Sequence, residues 1–150
     1  MHTFETGIFE VDLHQKDVCA RLPLMQQLFD VSKRSLVSAL AAAFPSVPLG
    51  LGPDASDSAL DSIRTIKLQY NEGEGGCFPC HYDNPGGGAG GGAGGGQGGG
   101  GASRRALTCV FYLNRDWAEG DGGELTLLPF LLPPVSLPPI FNRMAIFSSE

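Results

Sequence analysis

The chain has 150 residues, 42% of them apolar and 17% charged, which is ordinary for a single soluble domain. A net charge of -6 and only ten Lys plus Arg exclude the basic stripe that a nucleic-acid partner requires. No stretch approaches the roughly 18 apolar residues of a membrane span, and Glu5, Glu10, Asp12 and Asp17 are foreign to a secretory signal, so we expect an intracellular soluble protein, cytoplasmic or nuclear.

In chain order, Thr6 to His14 alternates Phe9, Val11 and Leu13 with Glu10, Asp12 and His14 and predicts a half-buried or edge strand. Between Arg21 and Phe44 the period changes. Leu24, Leu28, Leu36, Leu40 and Phe44 recur at helical spacing, Pro23 suits a first turn, and Pro45 ends the run, which predicts one or two helices packed on a sheet with Met25 and Phe29 in the core. Ser46 to Ser58, rich in Pro, Gly, Asp and Ser, predicts a loop.

Ile66, Leu68 and Tyr70 alternate with Thr65, Lys67 and Gln69 as a strand does, and Asn71 to Gly76 supplies a turn. Phe78 to Asp83 is expected as a short strand or strand end. Residues 86–102 form a Gly-rich tract whose entropy on ordering is prohibitive, expected as a flexible insertion in a loop. No Lys-Ser/Thr follows it, which argues against a phosphate-binding loop. With the tract set aside, roughly 130 residues remain for one modest core.

Ala106 to Asn114 gives the clearest strand, with Leu107, Cys109, Phe111 and Leu113 on one side and Thr108, Val110 and Tyr112 on the other. A polar turn, Arg115 to Gly123, leads to a strand at Glu124 to Leu128. Pro129 to Pro139 is expected as a connector and Arg143 to Phe147 as a last strand. Many short strands behind one helical segment predict an α+β, mostly β fold, an antiparallel two-sheet jelly roll with helices on one side.

The chemistry concentrates at Cys77-Phe78-Pro79-Cys80-His81-Tyr82-Asp83. Cys77-x-x-Cys80-His81 has the spacing of c-type haem attachment, whereas His81-x-Asp83 offers an imidazole and a carboxylate to a non-haem iron. On a strand these two side chains point the same way and converge on one metal. The haem reading needs an axial partner and an export route. A thiol-redox reading of the two cysteines lacks the helix N-terminus that would lower a thiol pKa.

Order and spacing decide between these readings. Tyr70-Asn71-Glu72-Gly73-Glu74-Gly75-Gly76, then Phe78-x-x-His81-x-Asp83-Asn84-Pro85, then Arg104-Arg105-Ala106-Leu107-Thr108-Cys109-Val110-Phe111-Tyr112-Leu113-Asn114-x-x-Trp117, then Asp121-Gly122-Gly123-Glu124-Leu125, then Phe141-Asn142-Arg143-Met144-Ala145-Ile146-Phe147 together resemble the prolyl 4-hydroxylase-like branch of the 2-oxoglutarate and Fe(II)-dependent oxygenases, nearest to the hypoxia-sensing type. The resemblance spans residues 63–149 and treats 1–150 as one partial domain. It implies a double-stranded β-helix whose last strands are missing. It implies Fe(II), 2-oxoglutarate and ascorbate as cofactors, with hydroxylation of prolyl residues in a protein or peptide partner coupled to decarboxylation of 2-oxoglutarate.

By that resemblance His81 and Asp83 match two iron ligands, and Tyr70 and Tyr112 match tyrosines that hold 2-oxoglutarate. Leu125 matches an apolar wall of the same pocket, Thr108 and Val110 share the Tyr112 face of their strand, and Arg105 and Trp117 sit where the substrate approaches. The family also supplies a second His and a basic 2-oxoglutarate residue beyond the strand that ends in Phe147-Ser148-Ser149, and this sequence has neither; His2 and His14 match no ligand. The expectation is a C-terminally incomplete copy with weak iron binding and little turnover. The alternative is a jelly-roll module that binds without catalysing.

Overall fold

A computed structural model describes residues 7–13, 16–47, 49, 55–73, 75–83 and 105–149. The Gly-rich tract 86–102, His2 and His14 lie outside the described residues. Two compact units divide the chain, Gly7–Glu72 and the residues from Gly73 onward.

In the first unit the strand β1 (Ile8–Asp12) pairs antiparallel with β2 (Lys67–Asn71), Phe9 opposite Tyr70 and Val11 opposite Leu68. Between them run α1 (Lys16–Arg21), α2 (Pro23–Val31), a π-helical turn (Ser32–Leu36), α3 (Val37–Ala43) and α4 (Asp57–Ser62). Buried Leu13 and Phe29 form the core, with Val11, Val18, Leu22, Met25, Ile66 and Leu68 packed against them. The helical segment therefore rests on a β ladder, as its apolar spacing predicts. Met25 and Phe29 lie in or against the core as expected, but the row that was expected to begin at Leu24 does not. Val18 on α1, Leu22 in the non-helical link and Met25 and Phe29 on α2 supply the contacts, whereas Leu24 is 70% exposed. A strict four-residue repeat drifts around a 3.6-residue helix, so a row that starts at Leu24 cannot stay on one face. The π-helical turn then resets the phase before Leu36 and Leu40, both half-buried.

That turn has its own anchor. Arg64 donates from Nη1 to the Phe29 carbonyl (2.9 Å) and to Ser32 Oγ, and from Nη2 to Asp61 Oδ1 (2.7 Å), with its guanidinium 4.1 Å from the Phe29 ring centroid. Ser56 caps α4 by accepting from the Ala59 amide, so this helix opens inside the expected Ser46–Ser58 loop.

In the second unit β3 (Leu107–Phe111) pairs antiparallel with β6 (Met144–Ser148), and β4 (Leu125–Leu127) with β5 (Val135–Leu137). The expected strands at Ala106–Asn114, Glu124–Leu128 and Arg143–Phe147 are all present. Two expectations fail. The Pro129–Pro139 connector contains β5, because Val135-Ser136-Leu137 lies between prolines and keeps all three amides for pairing with Leu125–Leu127. Phe78–Asp83 is loop and not strand. Pro79 has no amide to donate, and Gly73 and Gly75 before it adopt φ of 85° and 86°, a left-handed conformation no strand uses. The described residues thus show three two-stranded ladders.

Candidate metal and cosubstrate site

His81 and Asp83 converge without a strand to align them. The turn closed by the Gly76 amide on the Gly73 carbonyl (3.0 Å) starts the loop, and His81 Nδ1 lies 2.8 Å from the Pro79 carbonyl oxygen. A carbonyl only accepts, so Nδ1 carries the proton of the neutral ring and Nε2 keeps its lone pair. Nε2 lies 3.4 Å from Asp83 Oδ1. Two acceptors facing each other at that distance repel unless a cation, a proton or a metal, completes the pair.

Asp83 is the buried end of this pair, its side chain 16% exposed against 57% for His81. It is held from the β3 side. Thr108 Oγ1 donates to Asp83 Oδ2, and Arg105 Nη1 lies 3.2 Å from Oδ1. The Thr108 hydroxyl is 2.7 Å from Ser149 Oγ. Since the only Thr108 hydroxyl proton goes to the carboxylate, Ser149 donates to Thr108, giving a relay from β6 through β3 to Asp83. The ladder puts these groups in reach. The Ser149 amide donates to the Ala106 carbonyl (3.1 Å), extending the β3–β6 pairing one step beyond Ser148. Burial pushes the Asp83 carboxyl pKa up, but the Thr108 hydrogen bond and then the Arg105 charge and hydrogen bond, with His81 behind them, leave it below the ordinary carboxylate value.

The other expected site residues fall in separate places. Val110 and Tyr112 follow Thr108 along β3, both half-buried. Burial raises the Tyr112 phenol pKa against the opposing charge of Arg143, so it is a protonated donor at neutral pH. The Tyr112 amide donates to the Arg143 carbonyl and its own carbonyl accepts from Asn142, which closes the far end of the ladder. Leu125 is half-buried on β4. Trp117 belongs to another cluster, its indole N–H donated to the Gly122 carbonyl at 2.7 Å. Tyr70, on β2 of the first unit, is 63% exposed and stacks against Phe9. Cys77 and Cys80 are exposed free thiols in the loop rather than on a strand.

Among the described residues no third His, Cys, Asp or Glu joins His81 and Asp83. The donor chemistry nevertheless suits Fe(II), with one neutral imidazole lone pair and one ionised carboxylate oxygen turned toward each other. Sequence reasoning placed Arg105 only near substrate and did not single out Ser149. Register is the signal that identifies Ser149, because Phe147 lies opposite Thr108 and the next residue on the same face of β6 is Ser149.

Residues 67–150 match the family model of the 2OG-Fe(II) oxygenase superfamily. No curated protein matches the chain. A solved structure of a prolyl 4-hydroxylase from Phytophthora capsici is similar to it, with 41% identity and a TM-score of 0.68 over 94% of this chain. The chain spans 40% of the length of that structure. These likenesses imply a jelly-roll-like fold. No helix among the described residues is long and apolar enough to cross a membrane.

Proposed function

The chain belongs to the 2-oxoglutarate–Fe(II) oxygenase superfamily, and from that premise we propose that it serves the Fe(II)- and 2-oxoglutarate-dependent hydroxylation of prolyl residues in a protein or peptide. The observation that carries the reading is His81 Nε2 set 3.4 Å from Asp83 Oδ1, with Nδ1 2.8 Å from the Pro79 carbonyl oxygen. The likeness to a prolyl 4-hydroxylase supports the choice of substrate. Cys77-x-x-Cys80-His81 is then no haem site, since the family needs the imidazole for iron.

Each residue has a role in this reading. His81 Nε2 and the Asp83 carboxylate hold the metal; when bound with 2-oxoglutarate, it supplies the oxidising power for hydroxylation. Thr108, backed by Ser149, orients Asp83 and keeps it ionised, the kind of support that ligating carboxylates need. The Tyr112 phenol would donate to an anionic cosubstrate, with Val110 and Leu125 as apolar wall. Arg105, paired with Asp83 Oδ1, and Trp117, in its own cluster, are the residues on which the peptide would approach. Ascorbate keeps the iron reduced.

Two donors make a weak site. Anaerobic titration with Fe(II), or with Mn(II) followed by electron paramagnetic resonance, is expected to give one site per chain. His81→Ala and Asp83→Asn each weaken it by more than about tenfold, because each removes half the donor set. Unchanged binding in both variants would overturn the reading. A second reading, a binding module without turnover, draws on the absence of a third donor among the described residues. It predicts metal binding with no release of carbon dioxide from 2-oxoglutarate in the presence of a proline-containing peptide.

A further inference from the structure

A cleft of about 310 Å³ in the second unit is lined by Trp117, Glu119, Glu124, Ser136 and Pro138. It contains none of the residues around Asp83. Its size is at the low end of ligand clefts, roughly 300–1,000 Å³, and suits a single side chain better than a whole small molecule.

The lining is selective in its chemistry. The Trp117 N–H is spent on the Gly122 carbonyl, so the indole has only its π face to offer a ligand. The loop closes on itself through Asp121, whose carboxylate accepts from the Ala118 amide at 2.7 Å and whose amide donates to the Ala118 carbonyl at 3.1 Å. That leaves Glu119 and Glu124 in the lining, and neither forms an ion pair with a described residue. No cationic side chain lines the cleft. Arg115 lies over the Phe141 ring instead, and Arg143 Nη1 donates to the Pro138 carbonyl.

We propose that this cleft binds the side chain of a Lys or Arg in the substrate, so that a prolyl peptide carrying a nearby positive charge is preferred. A cation is attracted to an indole face and to two carboxylates, while Pro138 and the ring cover its aliphatic stem. A divalent metal is a poorer fit, because hard cations want six or more oxygens and one wall here is indole. An anion meets two carboxylates. That the cation belongs to a peptide rests on the proposed hydroxylase function; the cleft itself does not.

Trp117 is the only tryptophan of the chain, so selectively excited tryptophan emission reports on this cleft. The whole chain, without iron or 2-oxoglutarate, is titrated with a proline-rich decapeptide carrying one Lys and with the same peptide carrying norleucine there. The Lys peptide is expected to give a saturable change, and the norleucine peptide to bind about fivefold or more weaker, as loss of a cation–π contact and two charge contacts requires. Binding of the Lys peptide weakens with added salt. The double variant Glu119→Gln, Glu124→Gln brings the Lys peptide down to the norleucine level with an unchanged circular dichroism spectrum. Should the double variant unfold, the two single variants replace it, each with an intermediate loss. Equal binding of the two peptides, unaltered binding by the Gln variants, or saturation by calcium alone would overturn the proposal. The readout is independent of His81 and Asp83, so failure of the iron titration leaves it standing and the reverse holds equally.

Discussion

Arg105 Nη1 and His81 Nε2 address the same atom, Asp83 Oδ1, at 3.2 Å and 3.4 Å. A metal at that oxygen has to displace the guanidinium and also feels its positive charge, so both effects of Arg105 oppose cation binding. Arg105 is about half exposed, and such a pair contributes ~0.2–1 kcal/mol. Arg105→Gln is therefore expected to tighten Mn(II) binding by up to about fivefold, since 1.4 kcal/mol is a factor of ten. Weaker binding in this variant would show that Arg105 supports the site rather than guards it.

Thr108 acts on the other carboxylate oxygen. Thr108→Val keeps the shape and deletes the donor to Asp83, which leaves Ser149 Oγ without its acceptor on β3. A hydrogen bond to a charged group contributes ~1.5–3 kcal/mol, and the partial exposure of Asp83 sets the expected loss near the lower figure in urea unfolding. The sign with pH follows from the lowered Asp83 value. Its contribution is complete above the unfolded carboxyl pKa and disappears as pH falls through the folded one. Without Thr108 the folded value moves up toward the unfolded one, so less stability is left for acid to remove and the variant loses less than the parent chain as pH falls. Thr108→Ser restores the original profile.

Gly122 and Gly123, with φ of 79° and 81°, keep the Trp117 loop in a conformation that L-residues resist. A Cβ at Gly122 meets nothing within 4 Å, so Gly122→Ala isolates the backbone cost, roughly 1–2 kcal/mol. The melting temperature is expected to fall, and the Trp117 emission to shift as the bond from its indole to the Gly122 carbonyl is disturbed. Gly122→Asn, a residue that tolerates this region, loses less. A shift in melting temperature with unaltered emission would uncouple the loop from the indole.

The strand at Leu107–Phe111 was legible from alternation, and Met144–Ser148 from a short apolar run. The helical segment was legible as helix, with Met25 and Phe29 as its core residues, but the row starting at Leu24 was not the buried one. Only the three-dimensional contacts of Phe29 separate the Val18–Leu22–Met25–Phe29 set from the Leu24 row, and a π-helical turn leaves no mark in composition. The approach of His81 to Asp83 was readable from their spacing, although the strand meant to align them is a loop. The Asp83 contacts with Arg105 and Thr108 were not readable, since they span 22 and 25 residues and depend on where a loop meets β3. Ser149 sits in the same class, visible only once β6 is in register with β3.

The β1–β2 pairing carries a charge that makes it sensitive to acid. Glu10 on β1 accepts from Lys67 and, at 2.6 Å, from Gln69 on β2, its direct cross-strand partner. The Lys67 hydrogen bond, then that of Gln69, holds the Glu10 carboxyl below its ordinary 4.5, against the opposing effects of partial burial and of Asp12. A lowered folded value means that the contribution is present at neutral pH and drains away as pH falls from about 4.5 through the folded pKa. Asp61, lowered chiefly by Arg64, drains over a similar acid range, so the difference between two proteins is the informative quantity. Glu10→Gln keeps an acceptor for Gln69 but cannot ionise. Between pH 7 and pH 3 its melting temperature is expected to fall less than that of the parent chain, and the two curves converge at the acid end. Parallel curves across that range would mean that the carboxylate on β1 contributes nothing to the ladder.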